Sequence, residues 1–322
     1  MTSGFWSTNP HVASWFDTLS AWWRSDPPRL LVAAQHPLRQ QPVRGVVCRL
    51  AAQEDLKLLP EFWYHWFSIS SRCKCVVPLN AVQEAVAEKR WDLWVAIRED
   101  TGQLIGTLVR RHIKDLRIDA ARWPTAGVVD YFCVHPAWRA KGVGRLLLTL
   151  LHNSTPAPIP PHLMFWEQAI RLDVPCFSAG IFWVRKMQLS QGTAWEPIQD
   201  PTDRERLWTS CIPSGSVQAK GGWKETTVWR GPEGSVAVWD TFHKTVPECE
   251  RVGIVVGATS DQALTAFCKA GAGSFGILLK PADSIHIPEG WEYDAPYVWF
   301  AYNTLLGLKP NSVIGSFPCL AF

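Results

Sequence analysis

The chain has no strong net charge, no long apolar run and no regular spacing of cysteines. Its 32 Lys and Arg residues nearly balance 29 Asp and Glu residues, which gives a formal charge of +3 at pH 7. Because the basic residues are also scattered, the composition argues against a nucleic-acid partner. No apolar run approaches the length of a membrane-spanning helix, and the N-terminus lacks the basic and apolar regions of a secretory signal. We therefore expect a cytoplasmic, monomeric protein without a transmembrane segment.

The cysteines do not indicate a metal site or a disulfide framework. Nine Cys residues are spread along the chain, and no second pair accompanies Cys73 and Cys75 to complete a zinc site. We predict reduced thiols and no metal. Tyr and Met are scarce, at 5 and 3 residues, whereas Trp is abundant, at 19. The Trp residues fit either a Trp-rich core, which we favour, or an aromatic groove for an acyl chain or a peptide.

The most informative segment is VHPAWRAKGVGRLLL, residues 134–148. A strand-like run precedes it, and helical apolar spacing follows from Gly144 to Leu151. A glycine-rich turn into a helix leaves backbone N–H groups available for an anion, and glycine lets a phosphate approach the backbone. The pattern resembles the pyrophosphate-binding loop of the GNAT superfamily of N-acetyltransferases, whereas the alternative is an ordinary strand-to-helix turn. The resemblance implies acyl-CoA binding by Val134, Arg139, Ala140, Lys141, Gly142, Val143 and Gly144.

The order of predicted elements over residues 43–190 matches the α/β fold of that superfamily, with a mixed sheet. We expect strands at 43–50, 91–98, 103–112, 127–135, 162–168 and 177–187, and helices at 52–70, interrupted by Pro60, at 81–89 and at 144–151. Residues 1–42 are rich in Pro but also in aromatic side chains, which disordered tails usually lack. We therefore expect an irregular arm that packs on the body of the protein.

A reduced version of the same pattern follows in residues 191–322. It predicts a hairpin over 226–241, strands at 251–256, 274–279 and 297–302, and a helix at 261–270. The R-x-x-G-x-G pattern does not recur. We interpret this region as a second, degenerate GNAT-like half without a coenzyme loop, and an unrelated α+β extension is the alternative.

Two such halves, with the coenzyme held by the first, resemble the glycylpeptide N-myristoyltransferase family. Four segments carry the resemblance: FWSTNP from Phe5, DYFCVH from Asp130, FWVR from Phe182 and AYN from Ala301. The chain departs from that family at several positions. The loop KGVG is closer to ordinary acetyltransferases, Asp130 replaces an Asn, and Val184 replaces a His.

The resemblance implies a set of site residues for acyl transfer from a thioester to an amine. Phe5 and Trp6 would lie along the acyl-CoA, and the backbone N–H groups of Tyr131 and Phe132, exposed by a bulge, would stabilise the developing oxyanion. The terminal carboxylate of Phe322 would deprotonate the amine.

From the sequence, two other carboxylates remain open as the base. Asp130 adjoins the oxyanion donors, and desolvation there would raise its pKa. Glu167, in the neighbouring strand, is a weaker candidate. His135 is expected beside the loop rather than in catalysis, and Cys133 is expected to be a buried structural cysteine rather than an acylated one.

These residues predict an acyl-CoA-dependent N-acyltransferase that moves a fatty acyl group to the N-terminal glycine of a peptide or protein. Myristoyl-CoA is the favoured cosubstrate. An acetyltransferase that uses acetyl-CoA on a small or protein amine is the first alternative, supported by the Gly142-x-Gly144 loop. A non-catalytic module that binds acyl-CoA or an acylated peptide is the second, because no base is unambiguous.

Overall fold

A computed structural model describes residues 14–24, 26, 29–31, 38–67, 73–118, 121–154, 162–167, 178–185, 194–211, 226–246, 251–270, 276–281, 292–302 and 304–305. The predicted site residues Phe5, Trp6 and Phe322 lie outside these ranges. The described helices are α1 (Trp15–Trp23), α2 (Gln53–Leu56), α3 (Leu59–Trp66), α4 (Leu79–Ala87), α5 (Val143–Asn153), α6 (Pro201–Cys211) and α7 (Asp261–Ala270).

The described strands fall into two groups along the chain. The strands up to residue 190 are β1 (Arg29–Leu30), β2 (Val46–Leu50), β3 (Cys73–Cys75), β4 (Trp91–Arg98), β5 (Leu104–Ile118), β6 (Ala121–Val134), β7 (His162–Glu167) and β8 (Ser178–Arg185). The later strands are β9 (Glu196–Pro197), β10 (Thr226–Gly231), β11 (Gly234–Thr245), β12 (Arg251–Ala258), β13 (Gly276–Pro281), β14 (Glu292–Tyr302) and β15 (Thr304–Leu305).

One 13-stranded sheet runs through both parts of the chain. Its order is β2-β4-β5-β6-β7-β14-β8-β13-β12-β11-β10-β9, and β3 pairs with β11 off this path. Strand β14, from the C-terminal part, lies between β7 and β8. The sheet is therefore continuous across the predicted boundary near residue 190.

The two parts of the sheet repeat one arrangement. In each part, a long antiparallel hairpin leads to a strand, a helix follows that strand, and the next strand lies parallel to it. These three elements are β6, α5 and β7 in the first part, and β12, α7 and β13 in the second. A parallel pair needs such a crossover. This repeat confirms the predicted GNAT-like fold with a degenerate second half.

Helices cover both faces of the first part of the sheet. On one face, Val143, Leu147 and Leu151 of α5 pack on Trp94 and other residues of the central strands. On the other face, residues of α2, α3 and α4 pack around Trp63, which is fully buried. The rule that each apolar sheet face must be covered explains this layering.

The interruption predicted within 52–70 is present: two helices lie there, and Pro60 is in the first turn of the second, where a missing N–H costs no helical hydrogen bond. Two other predictions differ from the structure in their details. The β5–β6 hairpin is longer than expected because pairing continues to Ile118 and Ala121 through a charged stretch.

The N-terminal arm is not wholly irregular, since it contains helix α1. Ala21 of this helix packs with Leu305, and strand β1 pairs with β15. Farther along, Leu38 exchanges two hydrogen bonds with the Asn153 side chain at the end of α5. The arm therefore contacts the body at both places. Among the described helices, none has the length and apolar content needed to cross a membrane.

Candidate active site

A β-bulge in β6 forms the centre of the candidate site. Thr107 pairs with Cys133 and Val109 pairs with Asp130, so Tyr131 and Phe132 lie together opposite a single residue of β5. Tyr131 has a φ of 46°, in the left-handed region that non-glycine residues rarely adopt. A bulge takes backbone groups out of the ladder and turns them in a new direction. The structure thus contains the bulge that the sequence predicted at Tyr131 and Phe132.

The strands β6 and β7 separate at the same place. Their described parallel pairs run from Gly127 to Val129 on β6 and from His162 to Met164 on β7. Beyond these pairs, β7 continues beside β14 and β6 continues beside β5. The edge of β6 that carries the bulge therefore faces an opening in the sheet, where a reacting group can approach backbone N–H donors.

The bulge is held by a buried hydroxyl. Thr107, which is fully buried, donates from Oγ1 to the carbonyl oxygen of Tyr131 at 2.7 Å and accepts from Trp63 Nε1 at 3.0 Å. The Tyr131 ring packs on Trp63 with a centroid distance of 4.3 Å and on Phe67 at 5.0 Å. We call Trp63, Phe67, Trp91 and Tyr131 the aromatic cluster. The cluster holds the side chain of Tyr131 in place, and Thr107 holds its backbone carbonyl.

Asp130 lies beside the bulge, but its carboxylate is already bound. One oxygen accepts the Tyr131 N–H at 2.7 Å, and the other forms an ion pair with the buried Arg111 at 3.0 Å. The carboxylate thus accepts a hydrogen bond from the Tyr131 N–H, one of the two groups predicted to stabilise the oxyanion. For Tyr131 to bind a substrate oxygen, the Asp130 side chain must first turn away.

The glycine loop begins helix α5 as the sequence predicted. Gly142 is the residue before the first helical turn, with a φ of 90°, and Ala140 has a φ of 60°. The first helical hydrogen bond is donated by Leu146 to Gly142, so the N–H groups of residues 143–145 have no partner within the helix. Such an exposed helix N-terminus favours an anion.

Basic side chains surround this loop. Arg139 donates from Nε to the carbonyl oxygen of Val134 at 3.0 Å, which ties the loop to the end of β6. The Lys141 ammonium lies 4.9 Å from the centre of the Trp138 ring, and the Arg98 guanidinium lies 5.8 Å from it. Residues 139–142 are all exposed. The loop therefore combines unpaired N–H groups, positive charge and free access, which fits a pyrophosphate group.

The loop and the bulge are in direct contact. A Cβ at Gly144 would lie 3.2 Å from the ring of Phe132, closer than an ordinary contact. The absence of a side chain at Gly144 therefore allows the helix to begin directly against the bulge. This contact fixes the spacing between the predicted phosphate site and the predicted oxyanion donors.

Two other residues have the structural roles that the sequence predicted. The Nδ1 atom of His135 accepts the Ala137 N–H at 3.2 Å, and its ring packs on Trp66. Cys133 donates from Sγ to the Trp66 carbonyl oxygen, and burial raises the pKa of this thiol to about 12. A protonated, buried thiol is a poor nucleophile.

The residues that support the bulge, namely Thr107, Trp63 and Arg111, were not predicted from the sequence. The sequence contained a sign of the role of Arg111. This residue is two positions from Val109 and from Ile113, so the three share one face of β5. A charged residue at a core-facing strand position needs a partner, and the nearest acid on the neighbouring strand is Asp130. Thr107 had no comparable signal.

Comparison with known proteins supports the assignment of the fold. Residues 58–153 match the model of the acetyltransferase (GNAT) family, a range that includes the bulge and the glycine loop. This similarity supports acyl-CoA-dependent N-acyl transfer as the reaction class.

The GNAT-like fold extends over nearly the whole chain. A structure of Saccharomyces cerevisiae N-myristoyltransferase with bound myristoyl-CoA matches with a TM-score of 0.68 at 10% identity, covering 98% of this chain and 91% of that one. A second structure of the yeast enzyme with myristoyl-CoA matches with a TM-score of 0.63 at 11% identity, covering 98% and 97%. No curated protein sequence matches the chain significantly.

Proposed function

We propose that this GNAT protein transfers a fatty acyl group from coenzyme A to the N-terminal glycine amine of a peptide or protein. The observation that carries the proposal is the bulge at Tyr131 and Phe132, which faces the opening between β6 and β7 and contacts the glycine loop through Gly144. The likeness of the doubled sheet to that of yeast N-myristoyltransferase with bound myristoyl-CoA supports the choice of a long acyl chain, and the sequence resemblance to the glycylpeptide N-myristoyltransferase family supports the choice of a peptide acceptor.

In this proposal, the chain holds the coenzyme at the start of α5. The unpaired N–H groups of residues 143–145 would bind pyrophosphate oxygens, with Lys141 and Arg139 adding positive charge nearby. The bulge N–H groups would stabilise the negative charge that develops on the thioester oxygen. One such donor contributes about 3 kcal/mol to transition-state stabilisation in other acyl-transfer enzymes.

The amine must lose a proton before it attacks. Asp130 has both carboxylate oxygens engaged in the free chain, whereas the Phe322 carboxylate and the Glu167 side chain lie outside the described atoms. We propose the terminal carboxylate as the base and Asp130 as a group that moves aside. An Asp130→Asn variant separates the two roles: with Asp130 as the base, turnover would fall by several orders of magnitude.

Acetyl transfer is the second candidate function. The Gly142-x-Gly144 loop favours it, because this loop resembles those of ordinary acetyltransferases more than that of N-myristoyltransferases. Both candidates use the same bulge and the same loop, so the choice between them depends on the space available for the acyl chain.

Calorimetric titration with myristoyl-CoA and, separately, with acetyl-CoA tests the proposal. We expect myristoyl-CoA to bind at least tenfold more tightly, and a glycine-initiated octapeptide to be acylated while its N-acetylated form is not, as read by mass spectrometry. Equal or tighter binding of acetyl-CoA would make the chain an acetyltransferase. Binding without transfer to any amine would support a non-catalytic acyl-CoA-binding module.

A further inference from the structure

His243, in β11, is a buried imidazole whose two ring nitrogens have no hydrogen-bond partner among the described residues. The residue is 6% exposed, and neither Nδ1 nor Nε2 is paired within this part of the chain. Its backbone is satisfied, since its N–H donates to Thr241 Oγ1 at 3.1 Å. A buried polar group without a partner destabilises the free protein. A bound group that offers a donor and an acceptor would remove this penalty.

The ring lies beside the same buried core as the Tyr131 ring. Strand β3 of the first half pairs with β11 of the second, and this pairing sets His243 directly opposite Cys75. Opposed residues of an antiparallel pair share one face of the sheet. Cys75 belongs to the buried core that contains Tyr131 and Cys133, and the pKa of its thiol is raised by burial and also by the charge of Asp130. The second half thus contributes His243 to the packing behind the bulge.

Phe67 separates the imidazole from Tyr131. The centroid of the His243 ring lies 6.2 Å from that of Phe67, whose ring lies 5.0 Å from that of Tyr131. The Phe67 ring therefore lies between the imidazole and the Tyr131 side chain. At this distance the imidazole does not touch an amine that reacts at the bulge. One extended residue spans about 3.5 Å, so two or three residues of a peptide with its amine at the bulge reach the imidazole.

The chemistry of the ring favours a peptide over an acyl chain or a simple amine. Burial lowers the pKa of His243 to about 3, so the ring is neutral at neutral pH. A neutral imidazole has one N–H donor and one acceptor nitrogen. Peptide groups offer both a carbonyl oxygen and an N–H, whereas an acyl chain offers neither.

We propose that His243 binds the backbone of the acceptor peptide within its first three residues, through both ring nitrogens. This inference rests on the proposed transfer to a peptide amine and assigns part of the acceptor site to the second half of the chain. In this role His243 favours peptides over small amines as acceptors. It does not transfer the proton of the amine, which is left to another group.

The test compares His243→Phe with wild type. Phenylalanine keeps the approximate volume but removes both polar atoms. We expect a glycine-initiated octapeptide to bind the coenzyme A-saturated variant at least tenfold more weakly, as measured by calorimetry. The preference for this peptide over glycinamide, as a ratio of kcat/KM, should also fall at least tenfold. The melting temperature at neutral pH should stay equal or rise, because no hydrogen bond of the free protein is lost.

Two further variants act as controls. His243→Gln offers a donor and an acceptor, so it should recover part of the peptide affinity. Phe242→Leu, on the opposite face of β11, should bind the peptide as wild type does. Equal peptide affinity in wild type and His243→Phe would overturn the assignment, as would a wild-type chain that binds no peptide. If peptide binding depends on His243 but no acyl-CoA supports transfer, the transferase proposal fails and the peptide site stands.

Discussion

At the scale of single residues, Gly142 tests the phosphate site. A Cβ at this position would meet only Val43, at 3.4 Å, so there is space for a side chain. In Gly142→Asp, the new carboxylate would lie at the N-terminus of α5 and compete for the N–H groups that would bind pyrophosphate. We expect affinity for coenzyme A to fall at least tenfold, which corresponds to about 1.4 kcal/mol, in a calorimetric titration.

Gly102→Asp is the matched control for this change. Gly102 also has a positive φ, at 67°, and open space around it, but it belongs to the turn between β4 and β5. Backbone strain should destabilise both variants by similar amounts, on the order of 1 kcal/mol. Equal coenzyme affinity in the two variants would remove the phosphate site from the start of α5.

His243 also predicts how stability depends on pH. Its pKa falls from 6.5 to about 3 through burial, so between these values the unfolded chain binds a proton that the folded chain does not. Stability is therefore complete above pH 6.5 and is lost as the pH falls toward 3, at about 1.4 kcal/mol per pH unit. In His243→Phe, the free energy of unfolding, measured by urea denaturation, should fall less steeply over this window.

All other titrating groups are common to wild type and His243→Phe. The difference between their plots of unfolding free energy against pH therefore reports on His243 alone. Asp92, for example, has its pKa lowered to about 2 in spite of partial burial, by hydrogen bonds from His112 and Arg110 and by the charges of these residues. Its contribution cancels in the comparison. Parallel profiles for wild type and His243→Phe would mean that the imidazole is accessible to protons in the folded chain.

At the scale of secondary-structure elements, the bulge in β6 depends on Thr107 of β5. Thr107→Val removes the hydroxyl that donates to the Tyr131 carbonyl and accepts from the buried Trp63 indole, so both of these hydrogen bonds are lost. We expect a loss of about 1–3 kcal/mol of stability. Turnover should fall about tenfold or more, because the bulge N–H groups lose their fixed direction, whereas coenzyme A affinity should be retained.

Thr149→Val provides the comparison for this change. Thr149 is also buried, but its hydroxyl donates only to the Arg145 carbonyl one turn earlier in α5. Its loss should leave turnover within about twofold of wild type, in a steady-state assay with the acyl-CoA that calorimetry identifies. A Thr107→Val enzyme with wild-type turnover would show that Thr107 does not orient the bulge.

At the scale of the whole molecule, the sheet joins the two halves through β14. This strand pairs with β7 on one side and with β8 on the other, and β8 also pairs with β13. A fragment of residues 38–190 lacks β13 and β14, and its β7 and β8 would expose unpaired edges. We expect this fragment to aggregate or to give poorly dispersed amide signals in nuclear magnetic resonance spectra.

Co-expression of residues 191–322 as a separate chain serves as the control. If the missing strands are the cause, the second fragment should recover a soluble 1:1 complex, as measured by size-exclusion chromatography with light scattering. A monomeric, well-dispersed 38–190 fragment would mean that the first half folds without β14.

The sequence by itself determined the local features of this protein. The glycine pattern at Gly142 and Gly144 predicted a strand, a loop and a helix that opens on an anion site, because these features follow from backbone sterics and helix ends. The helix at 261–270 was predicted with its observed bounds, since its apolar spacing is regular. The repeated order of elements predicted the doubled GNAT-like fold.

Only the tertiary structure decided which distant residues meet at the site. Thr107 supports Tyr131, Arg111 pairs with Asp130, and His243 of the other half lies opposite Cys75 because β3 pairs with β11. Such contacts depend on strand register, and a shift of one residue would turn each of these side chains to the opposite face. Register is set by the packing of the whole sheet, so no local pattern specifies these partners.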